Sequence, residues 1–242
     1  MEEFLWSVCV RDRDGAVLYE RDAARVLSTA SVGKVLLLLE VARRIDDGSL
    51  AAGEPLRRTA PVADSGIWQH LAVDVLGVED LAVLVGAVSD NLATNVLLDR
   101  VGLDAVQALG TRLGLRDTAL HDRVRDVRTP ADAPRLSSGT AAELSRLMLG
   151  IHRGEYAGAA RVLAWLRNNT DLSMVAAAFD LDPLVHGTLW NKTGTDTGVR
   201  ADTGVVDGVA YAVVANYTGD RTGEVLRTMR ALGRIIRNLA DR

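Results

Sequence analysis

Apolar residues at both ends of the chain follow the alternating pattern of strands, and two pairs of such segments meet at Asp-Gly dipeptides. Asp14-Gly15 joins the first pair and Asp207-Gly208 joins the second. Asp-Gly between two apolar runs is a strong hairpin signal, because glycine accepts the positive φ that a tight turn needs. The predicted strands are residues 4–11, 16–20, 188–192, 199–206 and 209–217.

Between these ends, and again in the tail, apolar positions recur every three or four residues, which is the period of an amphipathic helix. The predicted helices are residues 35–45, 78–88, 93–101, 105–113, 141–152, 157–166 and 225–239. In the last of these, one helix face carries Leu226, Met229, Leu232, Ile236 and Leu239.

This order of elements predicts an antiparallel sheet made from both chain ends, with helices inserted between them. The fold class is therefore α/β, more strictly α+β. We divide the chain into a discontinuous α/β lobe, residues 1–27 and 171–242, and an all-helical lobe, residues 28–170, with the active site between the two. Residues 117–139 show no clear period, and loops of this length inside compact proteins are usually functional or flexible.

Composition narrows the class of protein. Of 242 residues, 48% are hydrophobic and 25% charged, which is typical of a soluble globular chain able to bury a core. The net charge is −4 and no basic run with interleaved aromatics occurs, so nucleic acid is not an expected partner. The longest apolar run stops at Glu40, which argues against a membrane span. The acidic start is unlike a signal peptide, so we expect a cytoplasmic protein, or a secreted one if a longer precursor was trimmed.

Neither a disulfide nor a metal site is predicted. Cys9 is the single cysteine and lies in an apolar run, which favours a buried thiol. The histidines lie far apart and show no ligand spacing, so we expect no metal and no other cofactor.

Three short motifs carry the candidate chemistry: Ser31-Val-Gly-Lys34, Ser89-Asp90-Asn91 and Lys192-Thr193-Gly194. A serine hydroxyl becomes a good nucleophile only when a neighbouring base takes its proton. Ser31 and Lys34 stand three residues apart at a predicted helix start, so they share a face and the amine can reach the hydroxyl. The helix N-terminus also favours developing negative charge. We therefore predict Ser31 as the nucleophile and Lys34 as its base.

The other two motifs supply groups that acyl transfer needs. Ser89 can relay a proton to a leaving nitrogen, and Asn91 can donate to and accept from a substrate amide. Lys192 offers a positive charge to a substrate carboxylate, Thr193 adds a hydroxyl, and Gly194 lets the backbone approach a ligand closely. Each motif alone is a common cap, turn or strand end, but the three in this order are a strong signal.

Lysine usage points to the same residues. Of 28 basic residues, only Lys34 and Lys192 are lysines, and both lie inside the motifs. Arginine keeps its proton in proteins, whereas a buried lysine can lose its proton and act as a base. The predicted role of Lys34 as a base requires this ability to lose the proton.

On these motifs the chain resembles the class A serine β-lactamase and penicillin-binding-protein superfamily. Residues 65–67, 89–95 and 163–170 look like further stretches of that family. The resemblance implies a β-lactamase/DD-peptidase-like fold, with a five-stranded antiparallel sheet, terminal helices and an inserted all-helical lobe. It also implies an oxyanion hole made by the backbone N–H groups of Ser31 and Thr195. Arg200 resembles the arginine that helps hold a substrate carboxylate, although an exposed strand cation is an equal alternative.

One departure concerns deacylation. Class A enzymes carry a loop glutamate that activates the deacylating water, but this sequence has no glutamate between Glu79 and Glu143. Among the acids of residues 117–139, Asp126 lies nearest the expected place. Its side chain is one methylene shorter, and a solvated loop acid is the alternative interpretation. We expect intact acylation and slow deacylation.

The leading hypothesis is a serine hydrolase that opens a β-lactam through an acyl-enzyme on Ser31. The alternatives are an esterase or D-alanyl peptidase of the same fold, or a penicillin-binding receptor that is acylated without turnover. In every case the expected partner is a small molecule, such as a β-lactam, an ester or a peptide-like acyl donor with a carboxylate.

Overall fold

A computed structural model describes residues 4–182 and 189–241 of the protein. The strands are β1 (Phe4–Arg11), β2 (Val17–Arg21), β3 (Leu27–Ser28), β4 (Pro55–Arg57), β5 (Val75–Gly77), β6 (Ala119–Leu120), β7 (Ser137–Gly139), β8 (Trp190–Asp196), β9 (Val199–Val206) and β10 (Val209–Tyr217). The helices are α1 (Lys34–Asp46), α2 (Val78–Val88), α3 (Asn91–Val101), α4 (Leu103–Arg112), α5 (Ala141–His152), α6 (Ala159–Leu166) and α7 (Thr222–Ala240). Short 3-10 turns occupy Ala30–Gly33, Trp68–His70 and Ala176–Phe179.

Within the described residues, five strands form one antiparallel sheet in the order β2-β1-β10-β9-β8, so strands from the two halves of the chain, β1 and β10, pair side by side. The Asp207-Gly208 turn joins β9 to β10 with φ of +49° and +85°, the positive values expected of this hairpin turn. Both predicted hairpins and the mixed fold class are confirmed.

Every predicted helix is present, with its ends at most three residues from the prediction. The strand predicted at 188–192 is different: β8 begins at Trp190 and continues to Asp196, while Thr188 lies outside the described residues. It continues through Gly194 because Thr193 pairs with Asp202 and Thr195 with Arg200 of β9. This pairing overrides the weak strand preference of glycine. The loop predicted at 117–139 also contains β6 and β7, which are too short to give a sequence pattern.

Helix α1 forms the centre of the helical part. Its residues 35–39, 41 and 42 are buried on every side, because α2, α3, α4 and α6 surround it. The sheet is covered on both faces. On one face α7 packs Val225, Met229 and Ile236 into a separate apolar cluster, and on the other Cys9 is buried in a cluster that includes Leu144 of α5. The lobe boundaries given above stay a prediction.

Across residues 4–182 and 189–241, none of the helices combines the length and the apolar character needed to cross a bilayer.

The contact between α2 and α6 yields a stability test. A Cβ on Gly86 would lie 2.7 Å from the Trp165 carbonyl oxygen, whereas one on Gly110 in α4 would meet nothing nearer than 3.9 Å. Overpacking against backbone costs about 1–3 kcal/mol, while glycine to alanine in a free helix gains about 1 kcal/mol. Gly86→Ala is therefore expected to lower the free energy of unfolding and Gly110→Ala to raise it, as measured by urea denaturation. Equal effects of the two changes would contradict this description of the α2–α6 contact.

Candidate active site

Ser31 lies in the 3-10 turn that leads directly into α1. The residue before it, Ala30, has a φ of +46°, a left-handed conformation that costs a non-glycine residue on the order of 1 kcal/mol or more. The hydroxyl of Ser137 on β7 donates to the Ala30 carbonyl at 2.6 Å and holds the turn in this shape. A Cβ on Gly33 would overlap the side chain of Ser137, so the close packing of β7 requires this glycine.

Strand β8 passes directly over the Ser31 turn. A Cβ on Gly194 would overlap the Thr29 carbonyl oxygen and lie 3.2 Å from the Ser31 nitrogen, so only glycine allows this approach. The close contact brings Thr193 and Thr195 beside Ser31. Ser31 and Thr195, the two predicted oxyanion-hole residues, thus line the same cavity.

The amine of Lys34 is completely buried behind Ser31. Its Nζ lies 2.7 Å from the Ser89 carbonyl oxygen, 2.7 Å from Asn91 Oδ1 and 3.2 Å from Ser89 Oγ. Among the described residues, Ser31 Oγ is not a hydrogen-bond partner of this amine. Burial, together with the positive charge of Lys192, holds the pKa of Lys34 well below the usual lysine value, although Asp90 acts in the opposite direction.

Ser89 stands at the junction of α2 and α3 with a φ of +55°, which is a strained conformation for serine. Lys192 Nζ donates to Ser89 Oγ at 3.0 Å, and Lys34 Nζ contacts the same oxygen from another side. The strain at Ser89 therefore places its hydroxyl between the two lysines of the chain.

Lys192 is as deeply buried as Lys34, and its Nζ also donates to the Thr193 carbonyl at 2.8 Å. Burial lowers the pKa of Lys192 to about 8, while the negative charges of Asp171 and Asp202 act to raise it. This ammonium accordingly carries its charge at neutral pH and loses it in mildly alkaline solution.

Asp90 holds the neighbouring loop against α3. Its Oδ1 caps the helix by accepting from Ala93 N, and its Oδ2 accepts from Ile67 N and Trp68 N at 2.8 and 2.9 Å. A Cβ on Gly66 would lie 2.5 Å from Asp90 Cγ, so the loop again needs glycine at the contact. Sequence reasoning assigned Asp90 no role, although its cap position was visible.

Ser31 opens into a cavity of about 230 Å³. The described residues that line it are Ser31, Ser65, Ala87, Val88, Ser89, Asn169, Thr170, Asp171, Thr193 and Thr195. The segment 169–171 was not among the predicted site residues, although residues 163–170 resemble a stretch of the family and polar residues follow the predicted helix there. Thr170 N donates to the Ala87 carbonyl at 2.9 Å, which fixes this segment beside the end of α2.

A buried carboxylate lies next to the site on β9. Asp202 Oδ1 accepts from Asn191 Nδ2 and the Tyr211 hydroxyl, and Oδ2 accepts from the backbone N–H of Val175 and Ala176. Burial raises the pKa of Asp202 to about 6, against the opposing effect of these donors. Asn169 Nδ2 donates to Asn191 Oδ1 at 2.7 Å and so connects this network to the cavity wall.

Two predicted residues lie apart from the lysine cluster. Asp126 is exposed, and its Oδ1 accepts from Ala63 N at 2.8 Å. The Ala63 carbonyl in turn accepts from Asn91 Nδ2 at 2.7 Å, so Asp126 reaches the site only through this backbone. The guanidinium of Arg200 donates to the carbonyls of Asp196 and Val199 at the end of its own hairpin.

The loop that lacks glutamate is fastened to α3 at Val124. Asn95 Oδ1 accepts from Val124 N at 2.8 Å, and Asn95 Nδ2 donates to the carbonyl oxygen of Val124 at 2.9 Å. Asp122 of the same loop forms ion pairs with Arg125 and Arg128, with nitrogen–oxygen distances of 2.8 and 2.5 Å. Within the part of the chain that is described, no group of three His, Cys, Asp or Glu side chains suits a metal ion.

A family model described as the Beta-lactamase enzyme family matches residues 3–240. The fold is similar to that of a β-lactamase from Sphaerobacter thermophilus DSM 20745, with 24% identity, 97% of this chain and 90% of that chain covered, and a TM-score of 0.83. It is also similar to PBP-A, with 22% identity, 100% and 91% covered, and a TM-score of 0.82. A β-lactamase from Xanthomonas campestris pv. campestris shows 20% identity, 97% and 91% coverage and a TM-score of 0.81. No curated protein matches the chain.

Proposed function

We propose that this chain, which belongs to the β-lactamase enzyme family, is a serine hydrolase that opens cyclic amides through an acyl-enzyme on Ser31. The observation that carries the proposal is the position of Ser89 Oγ. It lies 3.2 Å from Lys34 Nζ and 3.0 Å from Lys192 Nζ, in the wall of the cavity that Ser31 also lines. A nucleophile, a base of lowered pKa and a proton relay then stand in one site.

Acylation follows from this arrangement. Neutral Lys34 takes the Ser31 proton as Ser31 Oγ bonds to the acyl carbon, and the backbone N–H groups of Ser31 and Thr195 stabilise the oxyanion. When the C–N bond breaks, Ser89 gives its proton to the leaving nitrogen and receives the proton that Lys34 had taken. The net result is transfer of one proton from Ser31 to the leaving group.

The contacts of Lys34 support its role as a neutral base. A neutral amine has two N–H donors, which suffice for the Ser89 carbonyl and Asn91 Oδ1, each at 2.7 Å. Once Lys34 has taken the Ser31 proton, the third donor of its ammonium reaches Ser89 Oγ at 3.2 Å, and the proton passes to the relay along this contact. Lys192 donates to the same oxygen from the other side, so the direction of the relay is set.

The substrate groups are assigned from the same geometry. Thr193 lines the cavity and faces the acyl donor, and Gly194 keeps β8 close enough for the oxyanion hole. Asn91, predicted to bind the substrate amide, bonds to Lys34 Nζ and the Ala63 carbonyl with the two ends of its own amide. Lys192 acts through Ser89, because its ammonium is buried behind that hydroxyl. Binding of a substrate carboxylate by Lys192 and Arg200 stays a prediction.

A second candidate, a penicillin-binding receptor with little turnover, is favoured by the loop acids. Deacylation needs a base on a water beside the ester carbonyl. Asp122 is paired with Arg125 and Arg128, and Asp126 is bonded to Ala63 N. The residue that Asn95 fixes against α3 is the apolar Val124. We therefore propose that deacylation limits any turnover.

The first prediction concerns the nucleophile. Ser31→Ala is expected to abolish covalent labelling by a fluorescent penicillin, measured by gel fluorescence and intact-protein mass. Ser49→Ala, an exposed serine after α1, is the control and should label like the unchanged protein. Labelling that survives Ser31→Ala would remove Ser31 from the nucleophile role.

The second prediction separates the two lysines. Lys34→Arg keeps the charge but removes the base, so the acylation rate should fall by about 10³-fold or more. Lys192→Arg keeps a charged partner for Ser89, so its acylation rate should fall much less than that of Lys34→Arg.

Their pH profiles should also differ. Because the pKa of Lys192 is lowered to about 8, its ammonium is lost as pH rises through that value, and acylation should decline there. Lys192→Arg should remove this alkaline decline, since arginine stays protonated. Equal, mild losses from both changes would contradict the division of roles.

The third prediction is kinetic. Stopped-flow with a chromogenic cephalosporin should show a burst of about one equivalent followed by a slow steady state. The proposed nucleophile, base and relay for acylation are present, whereas no free base is available to activate the deacylating water. A linear trace at about ten turnovers per second or more would show that another base exists.

A glutamate graft tests the cause of the slow phase. Val124→Glu is expected to speed the steady state about tenfold or more, because Asn95 holds this backbone in place. Val127→Glu is the control. Val127 lies on the same loop with its side chain 77% exposed, so this change should leave the steady-state rate unchanged. The same small gain from both variants would argue against a missing base at Val124.

A further inference from the structure

Asp171 is an acid in the wall of a cavity that is otherwise lined by hydroxyl, amide and apolar groups. Among the described lining residues it carries the one formal charge. Its position is set by the backbone around it: Asn169 Oδ1 accepts from Asp171 N, and Asn169 Nδ2 donates to the Asp171 carbonyl, both at 3.2 Å. Thr170, between them, is bonded to Ala87, two residues before Ser89. Asp171 therefore lies on the Ser89 side of the cavity, where the leaving group departs.

The carboxylate of Asp171 forms no ion pair with lysine or arginine among the residues that the structure describes, although its charge acts on buried Lys192. Its Oδ1 accepts from the N–H and the hydroxyl of Ser173 at 3.1 and 2.7 Å. The chain has 28 basic residues, and other acids around the molecule, such as Asp122 and Glu40, form ion pairs with arginine. Asp171 is partly exposed to the cavity, so its charge acts on whatever group a ligand places there.

Neither of the positive charges near the cavity, Lys192 and Arg200, belongs to a residue that lines it. Lys192 is buried behind Ser89 and Thr193 and has Asp202 near it as well as Asp171. Arg200 donates to the carbonyls at the end of its own hairpin. The group that faces a ligand on this side is thus an acid, although a carboxylate-binding role was predicted here from the sequence.

We propose that Asp171 is a specificity-determining residue that selects acyl donors with a cationic leaving-group portion, such as an ammonium, over donors with a carboxylate there. The inference rests on the proposed function, because it assigns the charge preference of the same site. A single partly exposed charge at this range is expected to change relative acylation rates about tenfold, an effect that salt weakens.

Three derivatives of one penicillin test this preference: the free acid, its methyl ester and its 2-aminoethyl amide, which carries an ammonium. The measured quantity is the second-order rate of Ser31 acylation, followed by intact-protein mass at low and high salt. In the unchanged protein we expect the ammonium derivative to react about tenfold faster than the free acid, relative to the neutral ester, and high salt to narrow the gap.

Two variants and a control identify the residue responsible. Asp171→Asn keeps an oxygen for Ser173 but loses the charge, so the rate ratio of ammonium to acid should fall about tenfold. Asp171→Glu keeps the charge and should retain the preference. Asp220→Asn, an exposed acid between β10 and α7, is the control and should leave the ratio unchanged.

The outcomes separate this inference from the proposed function. If Ser31 is acylated and the free acid reacts at least as fast as the ammonium derivative, or if Asp171→Asn leaves the ratio unchanged, the inference is wrong and the proposed function stands. If no derivative acylates Ser31, the proposed function fails and the inference fails with it.

Discussion

The hydroxyl of Ser89 is where three separate parts of the fold meet. Lys34 approaches it from α1, Lys192 from β8, and Ser89 itself lies between α2 and α3. Burying two ammonium groups close together is costly, because each loses its hydration and each repels the other. Hydrogen bonds to carbonyl and amide oxygens offset part of this cost. The rest appears as a lowered pKa for both lysines. A lysine that readily gives up its proton is the result, and this property is what acyl transfer needs.

The geometry around that hydroxyl depends on strained and unusually close backbone. Ala30, next to the proposed nucleophile Ser31, and Ser89, the proposed relay, both have positive φ. Gly33, Gly66 and Gly194 each lie where a Cβ would overlap or crowd a neighbouring chain segment. Strain of this kind persists only where the surrounding packing determines the conformation, and it concentrates at functional sites. Here the fully buried helix α1 and the paired strand β8 provide that packing.

The acidic residues near the site differ in whether arginine neutralises them. On the loop over α3, arginines and backbone donors engage Asp122 and Asp126, and an apolar residue occupies the position that Asn95 fixes. In the wall of the Ser31 cavity, by contrast, Asp171 forms no ion pair among the described residues and bonds to Ser173. The same arginine-rich composition therefore neutralises one set of acids and leaves another free to act on a ligand. The slow deacylation and the preference for cationic donors that we propose both follow from this one charge pattern.

Local features of the sequence predict most of the helices and strands of this protein and the residues that meet at Ser89. Apolar periodicity predicts each helix, because burial of one helix face acts over a few residues, and the Asp-Gly turns predict both hairpins. The three motifs and the two lysines also identify the groups that meet at Ser89. Tertiary structure alone decides which acid faces the cavity and where Asp126 and Arg200 point. Those positions depend on contacts between segments far apart in the chain, such as Asp126 with Ala63 and Thr170 with Ala87. A charged loop residue has no periodic pattern of its own, so only the packing of its neighbours determines whether it meets solvent, an arginine or a substrate.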